Sequence, residues 1–346
     1  MVTKVGIVDD SVIARSVLEE IINSDPEFEV VGKAGDPYKA REMIFKKKPD
    51  VLTLDVEMPR LDGISFLKSL MENYPLPVIM VSSLTQSNSK KGIRALELGA
   101  VDVVGKPAGD SRDSIKALSD DLLPKLHAAA EANVKPLKVE EKRAEKEKEE
   151  IDVSLPSTVD LIVIGSSTGG TKALREIFEY MHPDLPPILI CQHMPPLFTT
   201  HFSKGLNEIS QLSVREAKEK DRVSSGEVLL APGDYHMVVS ARGSSRGVPV
   251  ELNQEEEINF QRPAVDPLFE TAASYFNNKL LGIVLTGMGK DGRDGAKHIS
   301  EAGGTVLYQD EASCSVFGMP KQVKENVPAA QEVRLADIPK LLDRLV

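Results

Sequence analysis

Two sets of residues in this 346-residue chain have the types and spacing that chemistry requires. The first is Ile164-Gly165-Ser166-Ser167-Thr168-Gly169-Gly170, which contains Gly165-x-Ser167-x-Gly169. This is the G-x-S-x-G spacing of a nucleophile elbow, where small residues on both sides allow a sharp strand-to-helix turn that lifts a hydroxyl above a sheet. Amides at the start of the following helix can stabilise an oxyanion. A Gly/Ser turn can also cradle phosphate, but neither the dinucleotide fingerprint nor the P-loop lysine pattern is present. A tight connection without chemistry is the remaining reading. A serine nucleophile needs a base, commonly histidine, and the base needs an orienting acceptor. Of six histidines, His193 follows the apolar run Ile190-Cys191 and His236 in Pro232-Gly233-Asp234-Tyr235-His236 is the second choice. His127 lies near a charged stretch, and His182, His201 and His298 fall in or near helical segments, where surface or packing roles are expected. For the acceptor, Thr286-Gly287-Met288-Gly289-Lys290-Asp291-Gly292 offers Asp291, with Asp294 and Asp266 as weaker alternatives.

The second set lies in the first half. Asp9 and Asp10 follow one apolar run, Asp55 another, Ser82 a third, and Lys106 a fourth, before Pro107. Three carboxylates converging at one sheet edge repel one another, and a hard divalent cation with oxygen ligands resolves that repulsion. A lysine there can pair with a carboxylate or phosphoryl oxygen, and a serine hydroxyl can bond to the same oxygens. Taken singly, each Asp or Ser would serve equally as a helix cap.

These residues need elements to hold them. Val5–Val8, Glu29–Val31, Val51–Leu54, Val78–Val81 and Val101–Val104 read as five strands, with helical spacing between them, as in Ser11–Asn23 and Gly63–Asn73. Such alternation implies right-handed crossovers and a parallel sheet covered on both faces, a flavodoxin-like doubly wound domain. Further on, Leu161–Ile164, Ile188–Cys191, Val228–Leu230, Leu281–Leu285 and Thr305–Tyr308 read as core strands, and Lys172–Met181, Asp266–Asn277 and Asp294–Ala302 as helices. This predicts a second, larger doubly wound α/β domain, with an antiparallel excursion somewhere in Val214–Phe260. Between them, eleven of the thirteen residues of Lys138–Glu150 are charged, so that stretch has no apolar face to bury and reads as a spacer. The expected organisation is residues 1–127, a linker over 128–155, and residues 156–346.

Composition agrees. Hydrophobic residues make up 41% and charged residues 27%, values of a folded globular protein. No apolar run approaches the roughly 18 residues of a membrane span, and the N-terminal run lacks a signal-peptide pattern, so a cytoplasmic protein is expected. A net charge of -11 argues against an overall electrostatic grip on nucleic acid. The two cysteines, Cys191 and Cys314, supply no disulfide framework and no zinc spacing, and both read as inert packing residues.

The order of parts in the first half, with Asp55-Val56-Glu57-Met58-Pro59 and Lys106-Pro107, resembles the receiver domain of bacterial two-component response regulators. The resemblance implies that Asp55 accepts a phosphoryl group, that Asp9, Asp10, Asp55 and the backbone carbonyl of Glu57 hold Mg²⁺, and that Ser82 and Lys106 read the phosphoryl oxygens. In the second half, GSSTGG, QHMPP, APGDYHM, RPAVDPLF, LTGMGKDG and EASCSVFGMP together resemble the catalytic domain of the bacterial chemotaxis protein-glutamate methylesterases. That implies Ser167 as nucleophile, His193 as general base and acid, Asp291 as orienting carboxylate, and the amides of Thr168 and Met288 as oxyanion donors, with no cofactor for the esterase chemistry. One departure is Ser166, where the family often has alanine; elbow spacing selects Ser167 over this neighbouring hydroxyl. The implied activity is demethylation of glutamyl methyl esters, releasing methanol, and deamidation of glutamines on chemotaxis receptors. The implied partners are a chemotaxis histidine kinase as phosphoryl donor and those receptors as substrate, without nucleic acid or membrane insertion. Two rivals stand beside this: a receiver with a DNA-binding or other non-enzymatic output, and a generic small-molecule esterase.

Overall fold

The computed structural model describes residues 2–58, 62–83, 85–106, 111–134, 136, 153–243 and 246–346, with Gln86 described in its backbone alone. Pro59, Pro107 and the charged stretch 138–150 lie outside the described residues. The chain divides into two compact units, Met1–Lys146 and Glu147–Val346.

The first unit alternates strand and helix: β1 (Thr3–Val8), α1 (Val12–Asn23), β2 (Phe28–Ala34), α2 (Pro37–Lys47), β3 (Val51–Asp55), α3 (Gly63–Asn73), β4 (Val78–Ser83), α4 (Gln86–Glu97), β5 (Asp102–Lys106) and α5 (Arg112–Glu131). Its parallel sheet has the order β2-β1-β3-β4-β5, the flavodoxin-like order expected from the sequence. Every residue of β3 is buried, as in a strand covered on both faces. Val5, Ile7, Val51, Ile79 and Val104 pack against Leu18 and Ile22 of α1 and Leu122 and Leu126 of α5. Each helix starts at a residue whose own side chain accepts an amide of the first turn: Ser11, Asp36, Asp62, Thr85 and Ser111. Helix α5 runs through residues 128–131, four residues into the expected linker, because Ala128 and Ala129 are buried and keep its inner face in the core.

The second unit comprises β6 (Leu161–Ser166), α6 (Gly170–Phe178), β7 (Ile188–Gln192), α7 (Phe198–Ile209), β8 (Ser213–Glu216), β9 (Arg222–Val223), β10 (Glu227–Leu230), β11 (His236–Val239), β12 (Val248–Asn253), α8 (Val265–Phe276), β13 (Leu280–Val284), α9 (Arg293–Glu301), β14 (Thr305–Gln309), α10 (Met319–Asn326), β15 (Gln331–Val333) and α11 (Ile338–Leu342). Seven strands form a parallel sheet in the order β15-β14-β13-β6-β7-β10-β8. All residues of β6, β7 and β13 are buried, so helices cover both faces: α8 packs with α9, and α6 with α7 and α11. The expected excursion exists as the antiparallel sheet β11-β12-β9, but β8 and β10 within the same stretch belong to the parallel sheet. Val153 is buried in this unit, its carbonyl accepting from Arg344, and Ser154 exchanges hydrogen bonds with Gln331, so ordered packing starts ahead of residue 156.

Candidate active site

In the second unit the chain moves outward from β6 through β7 and returns on the other side of β6 with β13. The carboxyl ends of these three strands therefore flank the point where strand order reverses, the usual ligand crevice of an open α/β sheet. Ser167 follows β6, His193 follows β7, and Met288 and Asp291 follow β13.

The turn after β6 is held from three sides. Gly169 has φ +79, a conformation that favours glycine, and a side chain there would strike Ser315. Ser167 N donates to Thr286 O at 3.1 Å, and Gly170 N donates to Ser167 O at 2.7 Å. Thr286 Oγ1 donates to Thr168 O at 3.0 Å, locking the β6 turn to the β13 loop. Gly287 is required by close approach: a Cβ on it would lie 2.8 Å from Ser167 Cβ and collide with Met319 Sδ. The two neighbouring serines have different surroundings. Ser166 is fully buried and its hydroxyl donates to Gln192 Oε1 at 2.7 Å, whereas Ser167 is half-buried and its hydroxyl makes no hydrogen bond to any described residue.

His193 Nε2 meets Asp291 Oδ2 at 2.6 Å, with both side chains nearly buried, at 6% and 2% exposed. Backbone pairing places Ser167 and His193 on adjacent strand ends, with His193 N donating to Ser166 O at 3.1 Å. No hydrogen bond joins their side chains; such bonds are often long in free enzymes and tighten with substrate. Asp291 also accepts Val265 N at 2.6 Å, Asp266 N at 3.1 Å and Gly292 N at 3.0 Å. Two of these amides open α8, whose own N-cap residue, Ala264, has no side chain to bond them. Burial alone would raise the Asp291 pKa, but the His193 hydrogen bond and charge and the backbone amides outweigh it and hold the carboxyl below its ordinary value.

The alternatives fall elsewhere. His236 is buried, its Nδ1 accepting Ala264 N at 3.2 Å and its Nε2 facing Glu256 O at 3.1 Å, so both nitrogens hold backbone. Asp294 is exposed and paired to Arg293. Asp266 is buried beside Asp291; burial first, then the neighbouring charge, pushes its pKa up to about 8. Cys191 and Cys314 are buried free thiols, and burial raises both pKa values, so neither is poised as a thiolate. Sequence reasoning missed Gln192 as a functional residue. Its amide nitrogen donates to Ser167 O at 2.9 Å and His193 O at 3.1 Å, while its oxygen holds Ser166. Only its place at a strand end beside His193 pointed to it.

In the first unit, β1 and β3 flank the corresponding reversal of strand order. Asp9 and Asp55 are buried there, Asp10 is exposed, and one oxygen from each lies within 4.8 Å of the others. Lys106 Nζ stands 2.7 Å from Asp9 Oδ2 and 2.9 Å from Asp55 Oδ2. Asp9 Oδ2 is buried, with the Lys106 ammonium as its close neighbour in the cluster. Burial raises the Asp55 pKa; Lys106 opposes this and Asp9 adds to it. The same two carboxylates outweigh burial at Lys106 and raise its pKa. Ser82 is buried at the end of β4, its hydroxyl making a 3.4 Å contact with Ser83 O. Glu57 N donates to Asp55 Oδ1 at 3.3 Å, and the Glu57 side chain turns outward to Lys91.

Known proteins share this architecture. Residues 162–342 match the CheB methylesterase family and residues 5–118 the response regulator receiver domain. The chain is 45% identical over 334 residues to protein-glutamate methylesterase/protein-glutamine glutaminase 1 of Cupriavidus metallidurans, covering 95% of this chain and 93% of that one. It is 44% identical over 350 residues to the protein-glutamate methylesterase/protein-glutamine glutaminase of Paraburkholderia xenovorans, covering 99% and 95%. The crystal structure of the Thermotoga maritima CheB methylesterase catalytic domain is similar to 55% of this chain and is covered in full, at 39% identity and a TM-score of 0.52. Among the described residues no helix is long and apolar enough to cross a membrane. The chain belongs to the CheB methylesterase family, with a response regulator receiver domain ahead of the methylesterase domain.

Proposed function

We propose that this protein is a phosphorylation-activated serine hydrolase that removes methyl groups from glutamyl esters, and amide groups from glutamines, on chemotaxis receptors. The observation that carries this reading is the buried 2.6 Å His193–Asp291 pair on the strand next to an elbow serine. In the proposed reaction Ser167 Oγ attacks the ester carbonyl and its proton passes to His193. With Nε2 engaged by Asp291, the remaining nitrogen, Nδ1, is the one that serves as base. The amides of Thr168 and Met288 receive the negative charge that develops on the carbonyl oxygen. His193 then returns the proton to the leaving methoxide, methanol departs, and an acyl-serine remains. Water attacks that ester with His193 again as base, which frees Ser167 and leaves a glutamate carboxylate. A glutamine follows the same path and releases ammonia. Asp291 keeps its charge throughout because its amide donors and His193 favour the carboxylate form.

The receiver is read in the same way. Asp55 is the proposed phosphoryl acceptor, and Lys106 and Ser82 contact the phosphoryl oxygens. The three converging carboxylates, with one oxygen of each within 4.8 Å of the others, suit Mg²⁺, which Asp9, Asp10, Asp55 and the Glu57 backbone carbonyl would hold. Bound there, the cation would offset the charge of carboxylates and phosphoryl group. A chemotaxis histidine kinase is the proposed donor, and the proposed setting is the cytoplasm. The domain limits we propose are a receiver ending with α5 and a catalytic domain beginning near Val153. A DNA-binding output is not favoured, because the region behind the receiver matches the methylesterase family.

The test is methanol release from methylated receptor membranes with and without a small phosphodonor. Release that rises with the phosphodonor supports the reading. Turnover of simple aryl esters with no release from receptor membranes would support a generic esterase.

A further inference from the structure

Asp266 is the second residue of α8 and 5% exposed. One of its oxygens accepts Gly295 N at 2.8 Å, and its own N–H donates to Asp291 Oδ1 at 3.1 Å, which makes the two buried aspartates immediate neighbours. Two neighbouring carboxylates buried in a protein do not both ionise at neutral pH, so one of the pair holds a proton. The donor inventory decides which residue holds it. Asp291 accepts three backbone amides and His193 Nε2, whereas Asp266 accepts a single amide. Negative charge therefore settles on Asp291 and the proton on Asp266. The other groups facing Asp266 are Asp294 and Arg293 at the start of α9 and the protonated Cys191 thiol of β7.

We propose that Asp266 is a positioning residue: a protonated, buried carboxyl that donates a hydrogen bond to Asp291 and so fixes the carboxylate that orients His193. The proposal rests on the reading of Ser167, His193 and Asp291 as the catalytic residues. It explains how a second acidic side chain is tolerated against Asp291 at the back of the site. It also sets an upper pH limit on activity. The raised pKa of Asp266 keeps its proton in place through neutral pH and lets it leave in the alkaline range. Two adjacent anions then repel, and Asp291 loses the donor that steadies it.

An asparagine at this position is a neutral mimic, since its oxygen can accept Gly295 N and its NH₂ can donate to Asp291. The experiment measures kcat and KM for methanol release by the full-length protein on methylated receptor membranes from pH 6.5 to 9.5. Wild type, Asp266→Asn, Asp266→Ala and Ser167→Ala are compared. Asp266→Asn is expected to stay within about threefold of wild type at pH 7 and to lack the alkaline decline that wild type shows. Asp266→Ala is expected to lose roughly tenfold or more in kcat with KM changed by less than about twofold, the worth of a charge-assisted hydrogen bond. If Asp266→Ala fails to fold, the Asp266→Asn profile alone decides. An Asp266→Asn enzyme that keeps the alkaline decline, or is slowed tenfold at pH 7, overturns the proposal while an inactive Ser167→Ala leaves the catalytic reading standing. An active Ser167→Ala overturns that reading and this proposal with it.

Discussion

The two units begin their helices differently. In the receiver, all five described helices start at a Ser, Thr or Asp that caps its own first turn. In the catalytic unit none of α6 to α11 has a side-chain cap from its own N-cap residue, and Gly169, Leu197, Ala264, Gly292 and Gly318 open five of them. The first two amides of α8 go instead to Asp291, which is remote in sequence. A local cap spends the helix N-terminus on stability alone. A remote acceptor turns the same amides into a device that sets the charge of the carboxylate proposed to orient His193. The contrast reaches the buried aspartates. Asp55, with Lys106 and one long amide contact, has a raised pKa, whereas Asp291, with three amides and an imidazole, has a lowered one. Both residues are buried; what separates them is the set of donors around Asp291 and the like charge of Asp9 beside Asp55.

The largest effect expected is at the nucleophile. Ser167→Ala should lower methanol release by roughly 10,000-fold or more, while Ser166→Ala, which loses only its bond to Gln192, should cost less than about tenfold. The reverse order in that assay would reassign the nucleophile. Next, Asp291→Ala should cut the rate by roughly 1,000-fold or more and also lower unfolding stability by about 1–2 kcal/mol, because α8 loses its acceptor. Asp36→Ala, which removes the local cap of α2, should lower stability by about 0.5–2 kcal/mol and leave methanol release unchanged. If denaturant titration showed Asp291→Ala to be as stable as wild type, the remote-cap half of the contrast would fail. Gly287→Ala should reduce kcat by roughly 10- to 100-fold by pushing Ser167 out of line, with a smaller change in KM. Asp55→Asn should have no effect on the basal rate and abolish the response to a phosphodonor; radiolabel incorporation and methanol release on one preparation would read both.

Much of the receiver was legible because its signals are local. Gly63–Asn73 reads as a helix over the same residues the structure gives it, with Asp62 as cap and buried Phe66, Leu67, Leu70 and Met71 at helical spacing. The elbow around Ser167 and the strand ends carrying Asp9 and Asp55 were equally plain. Less was legible where position depends on a distant partner. β8 was hidden because an edge strand shows mixed burial rather than an apolar run. The true end of α5 was obscured because Ala128 and Ala129 carry a weak hydrophobic signal and next to charged residues they read as linker. Nothing near Asp266 or Gln192 in sequence states that one touches Asp291 or that the other ties Ser166, Ser167 and His193 together. Those contacts follow from strand order, which no local pattern encodes.

The adjacency of β6 and β13 has a consequence for the time order of assembly. Thr168 and Thr286 bond directly although 118 residues separate them, and His193 and Asp291 although 98 do. Long loops must close before such contacts repay their entropy, and parallel pairing of distant strands is intrinsically slow. The half of the crevice contributed by β6 and β7 can form early from neighbouring sequence, but it holds Ser167 and His193 without the loop that braces one and orients the other. The crevice is therefore complete only where β13 is docked against β6, which sets the loop carrying Thr286 and Asp291 beside Ser167 and His193.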